Sequence, residues 1–264
     1  MIDLIEIGSK AKILTLKVGE FIRSESKKFD RTKIELKGLN DLVSYVDKEA
    51  ELQLVKGLSN ILPKAGFITE EGTAGKSNQD YIWIVDPLDG TTNFIHGLPI
   101  YSIAVALMYK DELVLGIVYE INKEELFYAH KGGGAWLNEN LITVSPISKL
   151  SESLLATGFP YHNFEQLDTY MQMLGHFMKH THGLRRLGSA AVDLAYVACG
   201  RFEGFFEYNL NPWDVAAGAF IVQEAGGTVT DFKGADDYLF GKSIIAAGKV
   251  NKALFEAINE RWNK

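Results

Sequence analysis

The apolar positions Leu4, Ile5, Ile7, Ala11, Leu14, Val18 and Ile22 approximate a helical stripe and predict an amphipathic helix over residues 1–22. Residues 24–37 are polar and charged, and read as a mobile or hairpin-forming surface segment. Ala50, Leu52, Leu54, Val55, Leu58 and Ile61 then mark a second helix, led in by residues 41–47 and stopped by Pro63. Beyond it the period changes. Residues 66–72 form a short strand running out into Glu70 and Glu71, and 81–85 is a continuous aromatic and β-branched run that predicts a buried strand. Residues 99–110 and 112–120 predict an antiparallel hairpin. Residues 126–129 and 135–137 flank Gly132-Gly133-Gly134, which predicts a tight strand connection: the triplet has neither the Lys-Ser/Thr of a P-loop nor GxGxxG order.

After an expected boundary at 145–150, strands and helices alternate. Strands are predicted at 154–159, 184–187, 202–208, 228–231 and 243–247, and helices at 164–179, 189–198, 212–225 and 251–262, with Gly226-Gly227 as a helix stop. This pattern predicts an α/β layered fold in two packed halves, 1–147 and 148–264.

Composition narrows the class. A chain of 264 residues, 47% hydrophobic and 23% charged, can build a sizeable core. The single Cys199 excludes an internal disulfide framework and suits a reducing compartment. With no basic start leading into an apolar signal region and no run approaching a membrane span, a cytoplasmic protein without membrane contact is expected. A net charge of −7 argues against nucleic acid as the main ligand, because phosphate backbones are bound through clustered Lys and Arg.

The candidate chemistry centres on Asp86-Pro87-Leu88-Asp89-Gly90-Thr91-Thr92-Asn93. Pro87 suits the second position of a turn, and a four-residue turn from Asp86 to Asp89 would bring both carboxylates to one side with the Leu88 carbonyl between them. Gly90 lets backbone approach a ligand, and Thr91-Thr92 can open a helix whose free N–H groups suit an anion. Asp-Pro and Asp-Gly are also common turn punctuation, so the motif gains weight from acids ending other apolar runs. Glu70 and Glu71 repel each other unless a cation or donors lie nearby. Asp47 and Asp214 each fall in a first helical turn, where a cap alone would explain them. Behind Asp214, Val215-Ala216-Ala217-Gly218-Ala219 is uncharged and mostly small, so this helix start can pack closely on other backbone. Gly188-Ser189-Ala190 opens a further helix whose donors could meet a polar ligand. His176 and His180 have zinc-ligand spacing without HExxH and read as a polar helix end, Cys199 lacks thiolate-stabilising neighbours, and no GxSxG elbow occurs.

Glu70-Glu71, the Asp86–Asn93 run, and Pro212-Trp213-Asp214 followed by Glu224-Ala225-Gly226-Gly227 resemble, in order and over nearly the whole chain, the inositol monophosphatase family of Mg²⁺-dependent, lithium-sensitive phosphatases. The resemblance implies an α-β-α-β-α sandwich and two or three Mg²⁺ ions. By motif match, Glu70, Asp86 and the Leu88 carbonyl would hold one ion, and Asp86, Asp89 and Asp214 another. Asp47 and Thr91, with Glu70, would serve the attacking water, Gly90 and Thr91 N–H groups the phosphate, and Gly188, Ser189, Ala190 and Glu207 the sugar-like part of the substrate. Leu88 stands where Ile is usual and Ser189 where Thr is frequent; neither change touches a metal-ligating atom. The implied activity is hydrolysis of myo-inositol phosphates by a cytoplasmic homodimer. Fructose 1,6-bisphosphate or 3′-phosphoadenosine phosphate is the alternative substrate, which Arg185 and Arg186 would suit, and a regulatory docking role with the site retained is the other.

Overall fold

The structure, a computed structural model, describes residues 2–29, 34–38, 41–73, 79–159 and 164–262. The first stripe forms α1 (Leu4–Ser26), whose N-cap Asp3 accepts the N–H groups of Ile5 and Glu6. The polar segment starts within α1 and ends in β1 (Ile34–Gly38), which pairs antiparallel with β2 (Asp41–Ser44) from the stretch expected to lead into the second helix, while residues 30–33 and 39–40 lie outside the described residues. Then come α2 (Tyr45–Ile61), β3 (Gly66–Thr69), β4 (Tyr81–Asp89), α3 (Thr91–His96), β5 (Ser102–Tyr109), β6 (Glu112–Glu120), β7 (Glu125–His130), β8 (Ala135–Leu137) and β9 (Asn140–Ile142). The later part of the chain adds β10 (Leu154–Thr157), α4 (Leu167–His180), β11 (Gly183–Arg185), α5 (Ala190–Ala198), β12 (Gly204–Tyr208), α6 (Pro212–Glu224), β13 (Thr228–Thr230), β14 (Ser243–Ala247) and α7 (Asn251–Trp262).

Among the described residues, β3 to β9 make one seven-stranded sheet in sequence order, antiparallel except for the β3–β4 pair. A five-stranded mixed sheet has the order β11-β10-β12-β14-β13. Alternation along β4 sends Trp83 and Val85 to one face and Ile84 to the other. On the first face Trp83, Val105 and Ile117 meet Ile22, Leu54 and Leu58 of α1 and α2. On the second, Ile84, Ala106 and Val118 pack with Ala195, Ala217 and Ile221 of α5 and α6, which continue to Phe205, Ile244 and Ala246 of the second sheet. Tyr170, Phe177, Leu254 and Ile258 of α4 and α7 close the far side over Leu155, Phe206 and Ile245. The expected α-β-α-β-α sandwich is the observed one.

Because α6 lies between two sheets, it has no solvent face from Val215 to Val222, which is why its sequence shows no polar stripe. Small residues on and around it let it approach β6 and α5 closely. A Cβ on Gly116 of β6 would lie 2.7 Å from the Ala217 carbonyl oxygen, and one on Gly218 would lie 2.5 Å from Leu194 Cβ of α5. The glycine triplet is the expected β7–β8 connection, and the N–H groups of Gly132 and Gly134 donate to Glu224 at the end of α6.

Candidate active site

β4 corrects the expected turn. It does not end at Val85 but continues to Asp89, with Asp86 opposite Ala104 and Asp89 opposite Ser102, so three steps on β4 oppose two on β5. This is a bulge in a paired strand, not a four-residue turn. Pro87, which has no N–H to donate, sits where pairing is interrupted, and the Leu88 N–H instead donates to Asp86 Oδ1 at 3.0 Å. Gly90 follows at φ +94°, and α3 starts from it. Position 90 is confined to glycine twice over, by this φ and because a Cβ would meet the carbonyl oxygens of Ile100 at 3.1 Å and Gly188 at 3.2 Å. Asn93 ties the same two segments together by donating to the carbonyls of Ile100 and Leu187.

The acids meet at this junction. Asp86 is 2% exposed, and burial, followed by the charges of Glu70, Asp89 and Asp214, holds its carboxyl well above the usual range. Burial also pushes Asp89 up to about 6, against the stabilising bonds it accepts from Ser189 Oγ at 2.6 Å and Ala191 N–H at 2.7 Å. Asp214 is pushed up to about 7 by burial, with the Asp89 charge adding to it, although the Asn211 N–H donates to it at 2.6 Å. Ser189 N-caps α5 and Asn211 N-caps α6, so two helix starts are anchored beside the same strand end. Asp86 and Asp89 of β4, both buried, thus meet half-buried Asp214 of α6 and half-buried Glu70 at the end of β3, and the charges of the other three all act on Asp86.

Asp47 divides its two oxygens. Oδ2 accepts Ser44 N–H at 2.9 Å and Ser44 Oγ at 2.6 Å, a capping box on α2. Oδ1 faces the Thr91 hydroxyl at 2.8 Å, and the Leu88 carbonyl is an alternative acceptor for that hydroxyl at 2.9 Å. Cap and site residue are therefore one side chain. Burial raises the Asp47 pKa, against the bonds from Ser44 and Thr91.

Glu207 of β12 is also buried, and burial and the Asp214 charge hold it well above the usual range, opposed by Arg186. Its carboxylate lies directly over Gly158, within 2.1 Å of where a Cβ would be. The Arg186 guanidinium sits 5.6 Å over the Phe159 ring, and its charge acts on Asp89 and Glu207.

Sequence reasoning missed Ser44, Gly158 and Asp193, and gave Asn93, the last residue of the motif, no role of its own. Ser44 was legible, since Ser-x-x-Asp before a helix is a capping signature. Asp193, one turn along α5 from Ser189, is 1% exposed with Oδ1 lacking a hydrogen-bond partner, and its charge acts with those of Glu207 and Asp89. The His176 and His180 rings stack 4.3 Å apart, and ring nitrogens of His176 and His180 face Arg261 and the His176 carbonyl respectively. Burial pushes the half-buried Cys199 thiol up.

Among the described residues no three acidic, imidazole or thiol side chains form a ready-made ion cage. One oxygen each of Asp89 and Asp214 is turned to protein donors instead. The chemistry of the donor set nevertheless fits a hard divalent cation: all are carboxylate or carbonyl oxygens, and their mutual repulsion is what a bound cation relieves. Among the described residues no helix is long and apolar enough to cross a membrane.

The inositol monophosphatase family model matches residues 6–263. The chain is 45% identical to the putative Nus factor SuhB of Neisseria meningitidis serogroup B over 232 residues, covering 88% of this chain and 89% of the relative. It is 38% identical to the inositol-1-monophosphatase of Mesorhizobium japonicum, covering 93% of each. The crystal structure of the extragenic suppressor protein suhB from Bartonella henselae superimposes with a TM-score of 0.89 at 39% identity, covering 94% of this chain and 96% of the other.

Proposed function

Because the chain belongs to the inositol monophosphatase family, we propose that it hydrolyses small phosphorylated polyols, myo-inositol monophosphate first among them, with Mg²⁺ as cofactor and water as the attacking group. The observation that carries this reading is the meeting of buried Asp86 and Asp89 with half-buried Asp214, with Glu70 acting on Asp86, beside the Asp47–Thr91 pair. Glu70, Asp86 and the Leu88 carbonyl would hold one ion, and Asp86, Asp89 and Asp214 another. When bound, such ions lower the pKa of a water and neutralise phosphoryl charge.

The residues supply the rest. The Thr91 hydroxyl, donating its proton to Asp47, keeps lone pairs free to accept a proton from water and so fix its direction of approach. Gly90 and Thr91 N–H groups would hold phosphoryl oxygens. The Ser189 hydroxyl is committed to Asp89, so Gly188, Ser189 and Ala190 would meet the polyol through backbone, and Glu207 would accept its hydroxyl protons. No side chain needs to act as nucleophile, and a phospho-enzyme trapped on Asp86 or Asp89 would overturn the scheme. A homodimer completes the reading.

Phosphate release from inositol monophosphates, fructose 1,6-bisphosphate and 3′-phosphoadenosine phosphate, each with and without Mg²⁺, tests it. We expect Mg²⁺-dependent turnover with inositol monophosphates preferred. Preference for a bisphosphate would shift the substrate toward Arg185 and Arg186, and no metal-dependent release from any ester would end the proposal. Gly158→Ala gives a finer check. The added methyl would enter the Glu207 carboxylate, a flexible tip that can swing away at little cost in stability but loses its seat. We expect KM for the polyol ester to rise about 10-fold, the loss of roughly one hydrogen bond to a charged group, with Tm nearly unchanged.

Names of the relatives favour a second role beside catalysis, since one is called a putative Nus factor and another an inositol-1-monophosphatase. A macromolecular partner retained by Asp86→Asn would support docking independent of turnover.

A further inference from the structure

We infer that Glu51 is a positioning residue, which holds the turn after β3 so that Glu70 stays in place for a divalent cation. The inference rests on the reading of Glu70 as a cation ligand. Glu51 lies one helical turn beyond Asp47, on the same face of α2, and is fully buried. Both of its carboxylate oxygens are spent on one short stretch of chain. Oε2 accepts the Glu71 N–H at 2.7 Å, and Oε1 accepts the Thr73 N–H at 2.8 Å and the Thr73 hydroxyl at 2.6 Å. Glu70 is therefore fixed from both sides: its own N–H reaches the Val85 carbonyl at 3.4 Å as the β3–β4 ladder ends, and the next residue is tied to Glu51. Gly72, at φ +68°, turns the chain between the two donors that Glu51 receives.

A buried carboxylate is costly unless donors surround it, and here the donors are two backbone N–H groups and one hydroxyl of the turn rather than a positive side chain. The arrangement answers a specific electrostatic difficulty. Glu70 and Glu71 are adjacent acids, and Glu70 faces the Asp86 charge before any cation arrives. An untethered turn would relieve that repulsion by swinging Glu70 outward. Glu51 opposes this by gripping N–H groups, which needs no positive side chain that would compete with a cation. One helix thus sets two parts of the site, with Asp47 on Thr91 and Glu51 on the Glu70 turn.

Calorimetric titration of the full chain with Mg²⁺, together with amide hydrogen exchange at Glu71 and Thr73 in metal-free protein, tests the inference. For Glu51→Gln we expect Mg²⁺ affinity to fall about 10-fold, the lower end of what outer-shell partners of metal ligands contribute. The Mg²⁺ concentration for half-maximal phosphate release should rise in parallel while kcat at saturating Mg²⁺ is kept, and the two amides should exchange faster. Thr73→Val, at an exposed position, removes one of the three bonds and should shift affinity in the same direction by less, which decides the matter if Glu51→Gln does not fold. Unchanged Mg²⁺ affinity in a folded variant, or a lower kcat at unchanged affinity, would overturn the inference. Wild-type protein that binds no Mg²⁺ would instead overturn the reading of Glu70 on which it depends.

Discussion

Asp86→Asn should lower Mg²⁺-dependent phosphate release by about 100-fold or more while the protein stays folded, because it removes the one carboxylate proposed to serve both ions. Folding should survive because Asp86 is buried among Glu70, Asp89 and Asp214, where the negative charge is repelled before a cation binds. A neutral amide of the same shape relieves that repulsion and can still accept the Leu88 N–H. Metal-free Asp86→Asn should therefore melt no lower than wild type, and Mg²⁺ should raise its Tm less than it raises the wild type's. Asp214→Asn should follow the same pattern, since its backbone partner Asn211 can bond an amide oxygen equally well. Initial rates at saturating Mg²⁺ and melting curves with and without the ion check both variants. Near-normal rates in either would remove that residue from the site.

Gly116→Val should be strongly destabilising, at about 3 kcal/mol, the upper part of the range for overpacked cores. A Cβ there would come within 2.7 Å of the Ala217 carbonyl oxygen and 3.3 Å of Ile221 and Phe220. The nearest obstacle is helix backbone, which cannot rotate aside as a side chain does, so β6 and α6 would have to part. α6 carries Asp214 at its start, and the displacement should therefore cost activity as well as stability. The denaturant midpoint and the turnover of whatever fraction folds measure the two effects. A midpoint within experimental scatter of wild type would mean that the central layer yields more readily than its packing implies.

Much of this arrangement was legible in the sequence, for physical reasons that also explain the gaps. Helices with one apolar stripe, such as α1 and α2, and the α/β layering announced themselves through period and punctuation. The small residues after Asp214 correctly signalled backbone-close packing, because few other roles need Ala and Gly together. The end of β4 was misread: Asp-Pro-Leu-Asp-Gly carries turn chemistry, and only pairing with β5 distinguishes a bulge from a reversal. β9 spans three residues, too few for any period to register. Glu51 was silent because a glutamate on a helix is ordinary until the segment that it grips is known. Gly158 and Glu207 are 49 positions apart in the chain, and no local pattern links a glycine to the carboxylate above it.

The enclosure of α6 from Val215 to Val222 bears on how this scaffold could be engineered. A rod clad on both sides, with an acid at its tip, transmits any adjustment in thickness of the middle layer to that acid. Attempts to raise heat tolerance by filling space should therefore leave that layer alone and work at the periphery, for instance on the solvent-facing side of α7, where added bulk displaces nothing that the reaction depends on.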